Sequence, residues 1–324
     1  MRTRCSFAAA VLGLMTVALS ASGQEPTKVP IVGVLLRMAL PDDPVVPAIR
    51  EGLRRVGYVD GTSIQIVRRD AQNQVDRLPA IASELVDLGA DVIVVGAEPA
   101  ARAARQASST IPIIIISFDH DPVASGLIDS FSHPSGNVTG VFARTSELIG
   151  KRLELLREAL PSVSRVAIFW DSASARQLEA VEPSARALGL DVERIELGGS
   201  YDFAAAFHTA RKRKAQAVVL LFSPMFVQER ARVASLALES GIPTMHQEET
   251  LVKAGGLMSY GPSVSEMFGR SAYFIHRLLK GAKVSDLPVE QASTFRLVVN
   301  LKTAKALRLT IPQSILLRAD EVIR

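Results

Sequence analysis

The strongest constraint in this chain is internal repetition. "IVGVLL" (Ile31 to Leu36) is an apolar strand pattern followed by a Pro/Asp loop, the helical pattern "PAIREGLRRVG" and a second strand, "SIQIVRRD". "RVAIFW" (Arg165 to Trp170) opens the same succession, through an Asp/Ser loop, to "LEAVEPSARALG" and "DVERIEL". The match continues, because "LPAIASELVDLGADVIVVGAEPAARAARQASSTIPIIIIS" and "FAAAFHTARKRKAQAVVLLFSPMFVQERARVASLALESGIPTMH" both run helix, strand, loop, helix, Ile-Pro, strand. Ile111-Pro112 corresponds to Ile242-Pro243, an offset of 131 residues. Two βαβα units with apolar strands predict parallel sheets covered on both faces by helices and joined by right-handed crossovers. The expected fold class is α/β: two Rossmann-like, doubly wound lobes with parallel central sheets, joined by hinge strands.

The remaining segments place the crossings. The glycine-bounded "SGNVTGV" reads as a hinge strand, followed by Ser146 as N-cap of "ELIGKRLELLREAL". After the second repeat come "AGGLMSYG", a helix over 263–280, and a tail strand and helix in "FRLVVN" and "LKTAKALRL". Crossings near 140, 261 and 290 give one lobe over 24–140 plus 262–290 and another over 141–261 plus 291–324.

The first residues speak to compartment. Arg2 and Arg4 precede an apolar stretch from Phe7 to Leu19 and the small residues Ala21-Ser22-Gly23, the pattern of a cleavable export signal over 1–23. The stretch is too short for a spanning helix, which needs ~20 apolar residues. The single cysteine, Cys5, sits at its start rather than at a lipid-attachment position, so the mature chain is expected to have no disulfide and no thiolate chemistry. The chain has 37 basic and 33 acidic residues, and without Arg2 and Arg4 the net charge is about +2, a balance that predicts no polyanion and no nucleic-acid partner. The run Arg211-Lys212-Arg213-Lys214 fits a solvated helix end.

In open α/β sheets, ligands bind beyond the C-terminal strand ends. The predicted strand exits carry Arg37, Glu98, Phe118-Asp119-His120-Asp121, Trp170, Ser172, Ser223 with Phe226, and Glu249. Asp119-His120-Asp121 invites a metal reading, but neighbouring strand residues point to opposite faces and no second cluster of metal spacing is present. Asp121 can cap the predicted helix "PVASGLIDSF", contact a ligand, or do both. Trp170 can be core or can stack on a ligand. Glu98 and Glu249 are carboxylates beside buried strand ends, which require partners. Tyr260, between glycines, is a hinge-packing residue or a hydroxyl donor.

Catalytic constellations are missing. The sequence contains no Gly-x-Ser-x-Gly, no Gly-x-x-x-x-Gly-Lys, no Gly-x-Gly-x-x-Gly and no His-Glu-x-x-His, and its five histidines are scattered. Binding without chemistry, and no cofactor or metal, is the expectation.

"GYVDGTSIQI", "GADVIVVGAEPAA", "DPVASGL", "GNVTGV", "KRLELLREALPSVSRVAIFWD", "AGGLMSYGPS" and "LPVEQASTFRLVVNLKTAKALRLTIPQSILLRADEVI" resemble the exported substrate-binding proteins of ABC importers, the group that includes tryptophan-binding members. The resemblance spans essentially the whole mature chain. It implies a type I periplasmic-binding fold, three hinge crossings, a small-molecule ligand enclosed by lobe closure, and an ABC permease in the inner membrane as partner of a periplasmic monomer. It also implies site roles for Asp121 in "DPV", for Ser172, for Glu249 ahead of the glycine pair, and for Tyr260. Where amino-acid-binding members have a small hydroxyl residue, this sequence has Glu98, which would repel a ligand carboxylate and counts against an unmodified amino acid. Glu98, Asp121, Glu249, Phe118 and Trp170 sharing one cleft would suit a ligand with a cationic or donor-rich end and an aromatic or apolar body. Other classes are a periplasmic sensor for a membrane receptor or kinase, a repressor domain and an exported hydrolase. The export signal and the lack of a helix-turn-helix count against the repressor.

Overall fold

In the computed structural model, which describes residues 28–38, 43–119 and 121–324, each repeat builds its own sheet. The expected export signal and His120 lie outside the described residues. The first repeat supplies β1 (Ile31–Leu36), β2 (Gln65–Asp70), β3 (Val92–Gly96), β4 (Ile113–Phe118) and β5 (Val138–Ala143), in spatial order β2-β1-β3-β4-β5. The second supplies β6 (Arg165–Trp170), β7 (Asp191–Glu196), β8 (Ala217–Leu220), β9 (Thr244–His246) and β10 (Met258–Pro262), in the same order, β7-β6-β8-β9-β10. Late in the chain β11 (Glu290–Gln291) joins β5, while β12 (Phe295–Asn300) and β13 (Glu321–Ile323) extend the second sheet beyond β10. Every pairing is parallel except β10 with β12.

Burial on both faces explains why the strands read as unbroken apolar runs. Ile113 and Ile115 face one core with Leu85 and Ala104, while Ile114 and Ile116 face the other with Phe268 and Ile275. All four isoleucines are fully buried, and each such side chain stabilises the fold by about 1.5–3 kcal/mol. In the second sheet Val166 and Ile168 face one core, and Ala167 and Phe169 the other.

Three expectations meet differences. Ser146 opens the single turn Ser146–Leu148 and does not cap the helix Ile149–Ala159, which Leu148 precedes. "SGNVTGV" does not itself cross between lobes: β5 lies inside the first sheet, paired over six residues with β4 and flanked by β11, and the chain leaves that sheet at Arg144-Thr145. It returns at Ser263 and departs again between Gln291 and Phe295. "PVASGLIDSF" is a series of turns rather than a helix, because Asp121 accepts from Val123 N and Ala124 N in a local turn that ends where Gly126 takes φ +70°.

Gly140, at φ +144°, shows how closely β5 approaches β4, since a Cβ there would lie 2.1 Å from the Ile115 carbonyl oxygen. No side chain can move to relieve a backbone clash of that kind. Gly140→Ala is therefore expected to destabilise the protein by more than about 2 kcal/mol in urea denaturation, against a few tenths for the exposed control Val59→Ala.

Candidate functional site

The strand order reverses between β1 and β3 in the first sheet and between β6 and β8 in the second, so each sheet has a switch point at its C-terminal edge. These edges face one another across a cavity of about 190 Å³. The first lobe contributes Leu36 at the end of β1 and Arg37 after it, Ala97 after β3, and Ile116 and Phe118 from β4. Phe222, Val227, Glu248 and Thr250 come from the second lobe, and Phe268 from the helix Val264–Leu279. The wall is mainly apolar, with a few polar groups, as small-molecule sites are.

The lobes touch around this space. The rings of Phe118 and Phe222 lie 5.6 Å apart at 36°. Arg37 Nε donates to Asn73 Oδ1 at 2.8 Å, and the amide of Asn73 lies 3.1 Å from Met225 Sδ across the cleft. Among the described residues the two edges meet in this aromatic pair and this polar contact.

Of the expected site residues, the cavity wall gathers Arg37 and Phe118. Glu98 does not line the cavity: it opens the helix Glu98–Ala107 and its carboxylate accepts from Arg102, one helical turn on, at 2.5 Å. Asp119, at φ +52°, accepts from Thr145 Oγ1 and from Ser146 N, and so caps the turn that starts the second lobe. Asp121 is occupied by its own turn and lies 3.8 Å from Arg144. Trp170 packs against the second-lobe core, its buried Nε1 without a partner among the described residues, and Ser172 is exposed on the turn Ser172–Ser174. Ser223 is fully buried and donates to Asp171, while its oxygen accepts from Met225 N at 3.2 Å as a helix cap. Tyr260 packs against the second-lobe core and against Phe295, at 6.2 Å between rings. Glu249 belongs to a surface cluster, bonded to Arg296 at 2.6 Å and Lys253 at 2.8 Å, with Glu321 on Arg296's other side.

The cleft shared by Glu98, Asp121, Glu249 and Trp170 is therefore not what forms. A polar residue on a strand-exit loop more often finishes a backbone turn or a helix end than faces a ligand. The carboxylates that do line the cavity are Asp43, on the first-lobe loop, and Glu248, the residue before the helix Glu249–Lys253. The Glu248 side chain is nearly enclosed, with Thr250 Oγ1 as donor at 3.3 Å, and burial pushes its carboxyl up to about 7. A signal for choosing between the adjacent glutamates exists in the sequence: Glu249 and Lys253 have the i,i+4 spacing of an exposed helical ion pair.

Two further residues support the site. Asp171 is almost fully buried and accepts from Ser174 N at 3.1 Å, Tyr201 Oη at 3.0 Å and Ser223 Oγ. Burial, with Asp171's charge added, pushes the Tyr201 phenol up to about 12, so it remains a donor. Arg152, in the helix Ile149–Ala159, is fully buried and donates to Tyr260 O at 2.8 Å, Thr145 O at 3.2 Å and Gln247 Oε1 at 3.0 Å. Burial pulls it down to about 10, and nearby Asp119 favours its charged form. Among the described residues no group of three or more His, Cys, Asp or Glu side chains could hold a metal ion.

Glu248 leaves a thermodynamic signature. A carboxyl whose folded value lies above its unfolded one favours the protonated folded state, so stability falls as pH rises from about 4.5 through 7. Glu248→Gln removes that cost. It should raise unfolding free energy at pH 8, by up to about 3 kcal/mol, and change little at pH 4.5, as read from urea denaturation at the two pH values.

Comparison with known proteins agrees with this architecture. A curated tyrosine-binding protein from Clostridioides difficile is 28% identical over 263 residues, 79% of this chain and 74% of its own. The structure of an ABC domain in complex with L-Trp from Streptococcus pneumoniae matches 91% of this chain and 99% of its own, at 28% identity and TM-score 0.79. A conserved domain protein from Vibrio cholerae matches 91% of this chain and all of its own, at 25% identity and TM-score 0.81. Residues 41–323 match the family described as ABC transporter substrate binding protein, and the chain belongs to that family.

Proposed function

We propose that this protein is the exported solute-binding component of an ABC importer, which closes its two lobes on an aromatic, amino-acid-like ligand and presents the closed form to a permease in the inner membrane. The observation that carries the reading is the cavity itself, an apolar space between two facing switch points, walled by Phe118 from one lobe and Phe222 from the other. A ligand that touches both lobes at once binds the closed arrangement better than the open one, and so shifts the hinge equilibrium by that difference. Arg37 gives the wall a cationic side chain and Asp43 and Glu248 acidic ones, charges of both signs as a zwitterion needs.

With Glu98 turned onto Arg102, the reason for setting aside an unmodified amino acid falls away. The tyrosine-binding relative and the L-Trp complex support a ligand of that class. The basic start and apolar stretch of residues 1–23 support export to the periplasm. Among the described residues no helix is long and apolar enough to cross a membrane.

The test is a thermal-shift and calorimetric screen on protein unfolded and refolded to strip bound ligand. Tyrosine, tryptophan or phenylalanine at ~100 Kd should add about 2.7 kcal/mol of stability, while aliphatic sugars should add none. Phe222→Ala should weaken the best of them by about 10-fold or more, since it removes an aromatic wall. A screen in which sugars bind and aromatic amino acids do not would contradict the reading.

A further inference from the structure

The buried acid of the cavity has a chemistry that the apolar wall does not explain. Glu248 sits at the exit of β9 on the second lobe with its side chain enclosed, and among the described residues it has no ion-pair partner and only the Thr250 hydroxyl as donor. Burying a carboxylate in this way is costly unless a positive or N–H-rich group arrives to compensate it. The groups facing it do not supply that compensation. Asp43, on the first-lobe loop that also lines the cavity, and Glu249, on the next position of the chain, both add negative charge, and Arg230 on the helix Arg230–Ser240 only partly offsets them. His246, on β9, is held neutral by burial. Arg37 is on the cavity wall but its Nε is committed to Asn73.

We propose that Glu248 is the specificity residue of this cavity, accepting from the ligand's ammonium group when the lobes close, so that the protein selects amine-bearing aromatic compounds over their des-amino analogues. The inference rests on the cavity being the ligand site for an aromatic solute, as proposed above. Asp43 stands on the opposite lobe and adds to the negative potential there, while its carboxylate is occupied by Val45 N at 2.8 Å and by Arg68 at 3.5 Å. The ammonium would therefore meet Glu248 from one lobe and the field of Asp43 from the other, which ties recognition of the amine to closure. A ligand with a carboxylate and no amine would leave Glu248 buried and uncompensated, or protonated.

A second consequence is proton competition. Only the ionised carboxylate pairs with an ammonium, and in the empty protein that form is lost as pH falls through about 7. Affinity for an amine-bearing ligand should therefore drop by about 10-fold per pH unit below 7, and affinity for a des-amino analogue should not.

The experiment uses matched triads on refolded, ligand-stripped protein: L-tyrosine, tyramine and 3-(4-hydroxyphenyl)propionate, and L-tryptophan, tryptamine and indole-3-propionate. Calorimetry is run on the natural protein and on Glu248→Gln at pH 8 and pH 6. The expected result is binding of the amino acid and the amine at least 10-fold tighter than the des-amino acid. Glu248→Gln should lose about 10- to 100-fold on the two amine-bearing members and nothing on the third, with no remaining pH dependence. Equal losses on all three members, or a des-amino acid bound as tightly as the amine, would overturn the inference. If aromatic amino acids bind and Glu248→Gln changes nothing, only the role of Glu248 fails. If no member of either triad binds, the aromatic-solute reading fails and this inference with it.

Discussion

The buried guanidinium of Arg152 is the interaction on which the rest of the structure depends. It sits on the second lobe's first helix and holds three pieces of backbone and side chain at once: the carbonyl of Thr145 on the first crossing, the carbonyl of Tyr260 just before the second, and the side chain of Gln247 at the exit of β9. Asp119 reaches over from the end of β4 to the hydroxyl of Thr145 and the amide of Ser146, so the first lobe is fastened to the same junction. A charge enclosed here fixes geometry more than it adds stability, because its desolvation offsets much of its attraction. What it specifies is how the crossings and the exit of β9 are held together, and with them that Glu248, one residue beyond Gln247, arrives at the cavity wall.

From that junction the cavity follows by repetition. Each repeat folds with the same strand order and so places a switch point at the same edge, and the crossings set the two edges on either side of the cavity. The cavity then takes one wall from each lobe, Ile116 and Phe118 on one side and Phe222 and Val227 on the other. Such a site has no complete half. A ligand that touches both walls favours the arrangement in which they are close.

The repeat, the parallel sheets and the positions of the strand exits were legible from the amino-acid sequence because the apolar runs of β1, β3, β4 and β6 are buried on both faces and the same succession of elements recurs in both halves. The site was legible only in part. Arg37 and Phe118 end strands whose directions are set by the sheet, and both reach the cavity. Asp119, Asp121, Ser223 and Glu98 sit on the same loops, yet their side chains satisfy backbone amides, a neighbouring acid or a helical arginine, competition that local spacing does not reveal. Arg152 did carry a signal, since it shares the helical face of Ile149, Leu153 and Leu156 and is charged where the pattern asks for an apolar residue. Asp171 carried another in "DSAS", an acid with a serine three positions on, the spacing of a capping box.

The central claim is that a ligand draws the two strand-end faces together about this junction. Its most direct test is the distance between spin labels at Asp76→Cys and Ser172→Cys, exposed positions on opposite lobes, in protein lacking residues 1–23, which holds no other cysteine. Adding a ligand that calorimetry shows to bind should shift the distance distribution to a shorter, narrower one. An unchanged distribution at saturating ligand would contradict the account.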